Sequence, residues 1–167
     1  MAEKLMILQG DKLTYDGLFD MKELIAVIRQ WGSDAGYWVI DSSQNESARP
    51  EGKYVTLDWI IFKKFTDYAK SLLKMNIQFQ GVKDVIIERE GKKVKVQEGK
   101  IFISFDVILE TDYEARWEVK PLFYVLRVIF EKYVYSPYMS KFERQIRDDY
   151  GMLKNSMKTY LNLAQFT

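Results

Sequence analysis

The stretch from Tyr138 to Leu163 constrains the fold more than any other. Phe142, Ile146, Tyr150, Leu153, Met157 and Tyr160 recur at helical spacing, so they share one face of an α-helix. Lys141, Glu143, Arg144, Arg147, Asp148, Lys154 and Lys158 occupy the other face. A helix this long and this one-sided has to lie on an apolar surface, and the rest of the chain has to supply it.

Alternating strands are the source of that surface. Ile101, Ile103, Phe105, Val107 and Leu109 alternate without interruption, the pattern of a strand with one buried face. Phe105 at its centre is expected to be buried against the final helix through Ile146, Tyr150 or Leu153, with Phe102 on the opposite face. Val85 to Ile87 and Val94 to Val96 flank Glu90-Gly91 and predict a hairpin. Glu98-Gly99 reads as the next turn. Tyr113, Ala115 and Trp117 read as a last strand after Thr111-Asp112. Residues 53–81 fit two patterns. As a helix, Leu57, Ile61, Phe65, Tyr68, Leu72 and Met75 align. As strands, Val55, Leu57, Trp59, Ile61 and Phe65 share a face, interrupted by Lys63, and past a turn at Thr66-Asp67 so do Ala69, Leu73, Met75, Ile77 and Phe79. The alternation runs on through Gln80, further than a helix explains, which favours strands.

Near the N-terminus, Leu5 to Leu8 and Lys12 to Tyr15 read as two short strands around a Gln9-Gly10-Asp11 turn. Asp20 and Glu23 have the spacing of a capping box. They open a helix with Leu24, Ile25, Ile28 and Trp31 on its apolar stripe and a stop at Gly32 or Ser33. Gly36 to Ile40 reads as a strand, and Ser42 to Gly52 is the most loop-like stretch. Pro121 opens a further helix with Leu122, Val125, Leu126, Ile129 and Tyr133 as its core stripe, and Ser136-Pro137 ends it. The expected fold is one α+β domain over residues 1–167. It has a short N-terminal helix and an antiparallel β-meander sheet of about five to seven strands packed against the long C-terminal helix.

Composition excludes more than it identifies. The chain of 167 residues has no Cys and no His, which removes disulfides, thiolate nucleophiles, ordinary zinc sites and Ser-His catalysis. With 25 basic and 24 acidic residues the net charge is +1, which argues against bulk attraction to nucleic acid or membrane. No apolar run approaches the length of a transmembrane segment. The lack of cysteine and of a signal-peptide pattern fits a cytoplasmic protein. No cofactor motif is present, and no cofactor or metal is expected.

Several residues nonetheless stand out. Asp106 lies mid-strand on the face opposite Phe105, and a solvated strand position is the plainer reading than a catalytic carboxylate. Asp58, Trp59 and Lys63 bring acid, aromatic and base together in sequence, but Trp59 and Asp58 belong to opposite faces. Lys92, Lys93, Lys95 and Lys100 form a basic hairpin, offset by Glu88, Glu90 and Glu98. A solvated, edge-protecting hairpin is the better reading, since no aromatic-rich nucleic-acid signature accompanies it. The segment Phe123 to Phe130 is apolar nearly all round, so it needs cover from the final helix or from a partner.

The segments Trp117-Glu118-Val119-Lys120-Pro121, Leu126-Arg127, Glu131-Lys132-Tyr133 and Tyr160-Leu161-Asn162-Leu163 resemble those of a group of small uncharacterised archaeal proteins. So do Phe19 to Leu24 leading to Gly36-Tyr37, Asp67-Tyr68, and the Glu90 to Lys95 hairpin. The resemblance spans most of residues 18–163, with departures at Val119-Lys120, Val128 and Glu131. It implies an archaeal cytoplasmic protein and strands over residues 53–81; it implies no activity. The element order is also similar to the helix-grip arrangement of START-like domains, a likeness of fold alone.

Two functions are therefore expected. The first is a non-enzymatic binding module that holds an apolar small molecule or lipid between the sheet and the C-terminal helix, with Trp59, Phe79, Phe105 and Trp117 as contacts. The second is a structural or scaffolding protein that self-associates or docks a partner through the apolar helix at 122–135, using Phe123, Arg127, Phe130 and Val134. Catalysis ranks third, because no spacing forces carboxylates together.

Overall fold

Period-two alternation carries most of this chain, and the strands it builds are long. The structure, a computed structural model, describes residues 3–111, 125, 129 and 136–166. Within them the order is β1 (Glu3–Phe19), α1 (Met21–Ala35), β2 (Trp38–Arg49), β3 (Gly52–Lys64), β4 (Ala69–Arg89), β5 (Lys92–Thr111) and α2 (Ser136–Phe166). The five strands form one antiparallel sheet in the order β1-β5-β4-β3-β2. β2 to β5 are a meander, and β1 closes against β5 at the far edge. The fold is α+β, with a short N-terminal helix and a long C-terminal helix against the sheet.

One face of the sheet is the core. Val55, Leu57, Trp59 and Ile61 of β3, Leu73, Met75, Ile77 and Phe79 of β4, and Ile101, Ile103, Phe105, Val107 and Leu109 of β5 are all buried. Onto them α2 presents Phe142, Ile146, Tyr150, Leu153, Met157 and Leu161, also buried. α1 adds Leu24, Ile28 and Trp31. Aromatic rings lock the layers: Phe19 stacks on Phe79 at 5.7 Å and Phe65 on Phe142 at 5.0 Å between centroids. Residues 53–81 are strands, as the alternation predicts, with the connection running from Phe65 to Tyr68.

Three expectations are corrected. Gln9-Gly10-Asp11 is not a turn between two strands. It lies inside the single strand β1, whose register against β5 shifts between Met6 and Leu8 and again between Leu8 and Asp11, with Gly10 at φ +63° and its N–H donating to Asp106 Oδ1 at 2.8 Å. The extra residues are absorbed as bulges while pairing with β5 continues. Glu98-Gly99 likewise passes straight through β5. There Gly99 faces β4 so closely that a Cβ would lie 3.0 Å from the Gln80 carbonyl oxygen, and β4 takes up an irregularity at Gly81. A glycine signals close backbone approach here, not reversal. Residues 42–49 are not loop: they extend β2, an edge strand exposed along nearly its whole length. Its polar sequence reflects the absence of a buried face, and backbone pairing with β3 holds it in place.

The Glu90-Gly91 hairpin forms as expected, both residues having positive φ (49° and 74°), as a tight two-residue hairpin turn requires. α1 continues past Gly32 to Ala35 and ends at Gly36, which has the left-handed φ of a helix stop. Gly32 lies inside the helix because Val39 packs against it; a Cβ there would meet Val39 Cγ2 at 3.0 Å. Val125 and Ile129, expected in a core stripe, are helical but 55% and 52% exposed. The expected strand at Tyr113 to Trp117, and Leu122, Leu126 and Tyr133, lie outside the described residues.

Candidate functional site

Among the described residues, two helices far apart in sequence build a concavity. α1 begins where α2 ends: the Tyr160 hydroxyl donates to the Asp20 carbonyl and accepts from the Asp20 N–H, both at 3.0 Å. α1 ends near the middle of α2, where the Tyr37 hydroxyl donates to Asp149 Oδ2 at 2.8 Å. The helices are thus antiparallel, and between them lies a groove of about 890 Å³. Volumes of this order are typical of small-molecule sites.

The α1 wall has the i, i+3, i+4 repeat of one helix face, running from Glu23 through Val27 and Trp31 to Asp34. It lies beside the core stripe of Leu24 and Ile28. Asp149, Met152, Ser156 and Tyr160 form the α2 wall, next to the core stripe of that helix. Lys63, from the end of β3, closes one end. Ala26, Ala35 and Ser156 are small, which leaves the space open. Met152 is 61% exposed at the rim.

The polar groups are organised around that end. Lys63 Nζ donates to the Ala35 carbonyl at 2.7 Å, and so caps the C-terminus of α1. It also sits 5.2 Å from the Tyr37 ring centroid and 3.9 Å from Asp149. Burial raises the Tyr37 hydroxyl pKa well above its ordinary value, with a bond toward Ser71 opposing and the Asp149 charge adding to the rise. At the other end the Tyr160 hydroxyl is pushed up to about 12, chiefly by burial. Both phenols therefore stay protonated and act as donors. Trp31 stacks on Tyr37 at 4.9 Å and is 8% exposed. Among the described residues its Nε1–H is buried without a hydrogen-bond partner. Such a group is uncommon in a native fold and calls for an explanation.

The residues singled out in the sequence are distributed differently. Phe79 and Phe105 have no exposed surface and Trp59 is 3% exposed; all three belong to the core. Trp117, Phe123, Arg127, Phe130 and Val134 lie outside the described residues. Asp58, Trp59 and Lys63 do not converge. Asp58 stands on the outer face, where it accepts from Ser43 and Asn76, both at 2.6 Å, and these bonds hold its carboxyl below the ordinary range. From Asn76 the ladder continues through Gln78 and Gln80 along β4. Asp106 holds the Gly10 bulge. Lys95 pairs with Asp84 at 2.9 Å across the basic hairpin. Sequence reasoning did not single out the groove residues Ala26, Val27, Gln30 and Asp34. The signal was a second, weakly apolar face on α1 beside the Leu24–Ile28 stripe.

Among the described residues no cluster of side chains is suited to a metal ion, and no helix is long and apolar enough to cross a membrane. No protein-family model, curated protein or solved structure matches the chain.

Proposed function

We propose that the protein is a non-enzymatic binding module that holds an elongated, largely apolar small molecule in the groove between α1 and α2. The groove runs along the C-terminal helix and ends at Lys63 of the sheet, so it lies beside the space expected from the sequence. The interior between sheet and helix is filled by Phe79, Phe105 and Tyr150. The observation that carries the proposal is the groove of about 890 Å³ between the two helices, lined in its middle by Ala26, Val27, Trp31 and Met152. Titration with decanol, a neutral apolar probe, tests it: saturable binding is expected, and Ala26→Trp, which sets a bulky side chain in the middle of the groove wall, should weaken it. Absence of saturable binding, or binding untouched by Ala26→Trp, would overturn the proposal.

A second reading is docking or self-association through residues 122–135. It is favoured by Val125 and Ile129, apolar neighbours one turn apart that are both more than half exposed. Light scattering across a concentration series tests self-association, and a Val125→Glu, Ile129→Glu variant should lower any oligomeric mass. A strictly monomeric wild type would remove self-association.

A further inference from the structure

We propose that the outer face of the sheet, the side away from α2, binds a neutral oligosaccharide along β4. This site is independent of the groove between the helices. Its frame is a row of amides at outward positions of β4: Asn76, Gln78 and Gln80. Gln80 Nε2 donates to Gln78 Oε1 at 3.2 Å, Gln78 Nε2 to Asn76 Oδ1 at 3.0 Å, and Asn76 Nδ2 to Asp58 Oδ1 at 2.6 Å. The Ser43 hydroxyl donates to the other oxygen of Asp58. An ionised Asp58 can only accept, so it turns the Asn76 amide toward itself, and each amide then orients the next.

The row joins two concavities. Asp58 and Asn76 line one of about 270 Å³, together with Lys74, Ser104 and Asp106. Gln80 lines one of about 480 Å³, with Tyr54, Lys100 and Asp16. From Asn76 to Gln80 the strand advances roughly 13 Å at about 3.3 Å per residue, the reach of a short chain of sugar rings. Phe102, 37% exposed, stands between the two, opposite Gln78 in the register.

Charge and hydrogen bonding select the ligand class. The cross-strand rows through Lys74, Asn76, Gln78 and Gln80 carry three cations, Lys12, Lys74 and Lys100, and three carboxylates, Asp16, Asp58 and Asp106. A phosphate, a polyanion or a cation meets as many like charges there as opposite ones. A neutral polyol meets no such repulsion. Asn76 and Gln78 each donate one N–H and accept one bond within the row, and each retains a second N–H and a second lone pair. A sugar hydroxyl both donates and accepts, so it matches that pairing. The amides hold one another in place, so binding immobilises few free side chains. The apolar C–H face of a sugar ring covers Phe102.

The test is calorimetric titration of the full chain with three trisaccharides: cellotriose, maltotriose and the anionic trigalacturonate. At least one of the two neutral sugars should bind saturably, and trigalacturonate more weakly. Gln78→Ala and Phe102→Ala should each weaken the neutral sugar about tenfold, the loss expected for one good contact. Gln78→Ala removes only an outward amide, so it reports on recognition even if Phe102→Ala misfolds. Ala26→Trp, in the groove between the helices, should leave sugar binding unchanged. Failure of both neutral sugars to bind, binding that survives both outer-face substitutions, or tighter binding of trigalacturonate would overturn the proposal. Loss of sugar binding in Ala26→Trp would place the sugar in the groove and overturn it as well.

Discussion

Phe105 of β5 meets Tyr150 of α2 edge to face, with ring centroids 5.2 Å apart and planes at 68°. This contact joins the centre of the sheet to the centre of the C-terminal helix. The geometry is one that aromatic pairs favour, since the positive edge of one ring addresses the negative face of the other. The same tyrosine reaches beyond the core: its hydroxyl donates to Asp11 Oδ2, which also accepts from Lys154 Nζ at 2.7 Å. One residue thus fixes the helix both to the middle of the sheet and to its β1 edge.

Phe105→Ala is expected to destabilise the protein by roughly 3–5 kcal/mol, from lost burial and the cavity left behind. Phe102 lies on the outer face and is 37% exposed, so Phe102→Ala should cost markedly less. Chemical denaturation of both variants checks this. Equal, large losses would mean that the two faces are covered alike.

The Asp11 cluster makes stability depend on acid. Bonds from Lys154 and then Tyr150 hold the Asp11 carboxyl below its ordinary value of 3.8. The folded pKa is depressed, so the contribution is fully present above the unfolded value and is lost as pH falls through the folded one. Asp11→Asn should therefore be less stable than wild type near neutrality, with the gap closing below about pH 4. Denaturation midpoints over a pH series measure it; a gap independent of pH would show that the carboxylate charge is not what Lys154 and Tyr150 stabilise.

At the start of α1, Asp20 Oδ1 accepts from the N–H groups of Lys22 at 2.8 Å and Glu23 at 3.3 Å. Asp20→Ala should cost roughly 0.5–2 kcal/mol, the usual loss for an N-cap. Glu23 does not complete a capping box, because the Asp20 N–H donates to Tyr160 instead. Glu23→Ala should consequently cost less than Asp20→Ala, and thermal melts of the two variants separate these roles.

The contrast between Asp20 and Glu23 marks how far the sequence could be read. Local chemistry was legible: the Asp20 cap, the Glu90-Gly91 hairpin, and the alternation that buries Trp59, Met75 and Phe105. The α2 stripe predicted its own buried face almost residue for residue. What failed depended on distant partners. Gly10 and Gly99 looked like turns because a glycine in a bulge and a glycine in a turn have the same local signature. Only the Asp106 carboxylate and the Gln80 carbonyl, far off in sequence, distinguish them. Residues 42–49 looked like loop because an edge strand without a buried face has no alternation to show. The groove was hidden for the same reason. Its walls, around Val27 and Met152, are second faces of helices, and they become a site only once α1 and α2 lie antiparallel.

Two glycines of opposite expected sign test the close packing of the sheet. Gly52 opens β3 at φ +140°, and a Cβ there would lie 2.6 Å from the Gly81 carbonyl carbon and 2.8 Å from its oxygen. Both atoms are backbone and cannot swing aside, so overlap adds to conformational strain. Gly52→Ala is expected to destabilise by roughly 2–4 kcal/mol. Gly151 sits inside α2, where nothing lies within 4 Å of the position a Cβ would take. Gly151→Ala should stabilise by about 0.5–1 kcal/mol, because alanine loses less backbone entropy in a helix. Denaturant midpoints of the two variants should therefore move in opposite directions. If Gly52→Ala were neutral, β3 and β4 could not approach as closely at Gly52 and Gly81 as they do here, and the irregularity in β4 would need another cause.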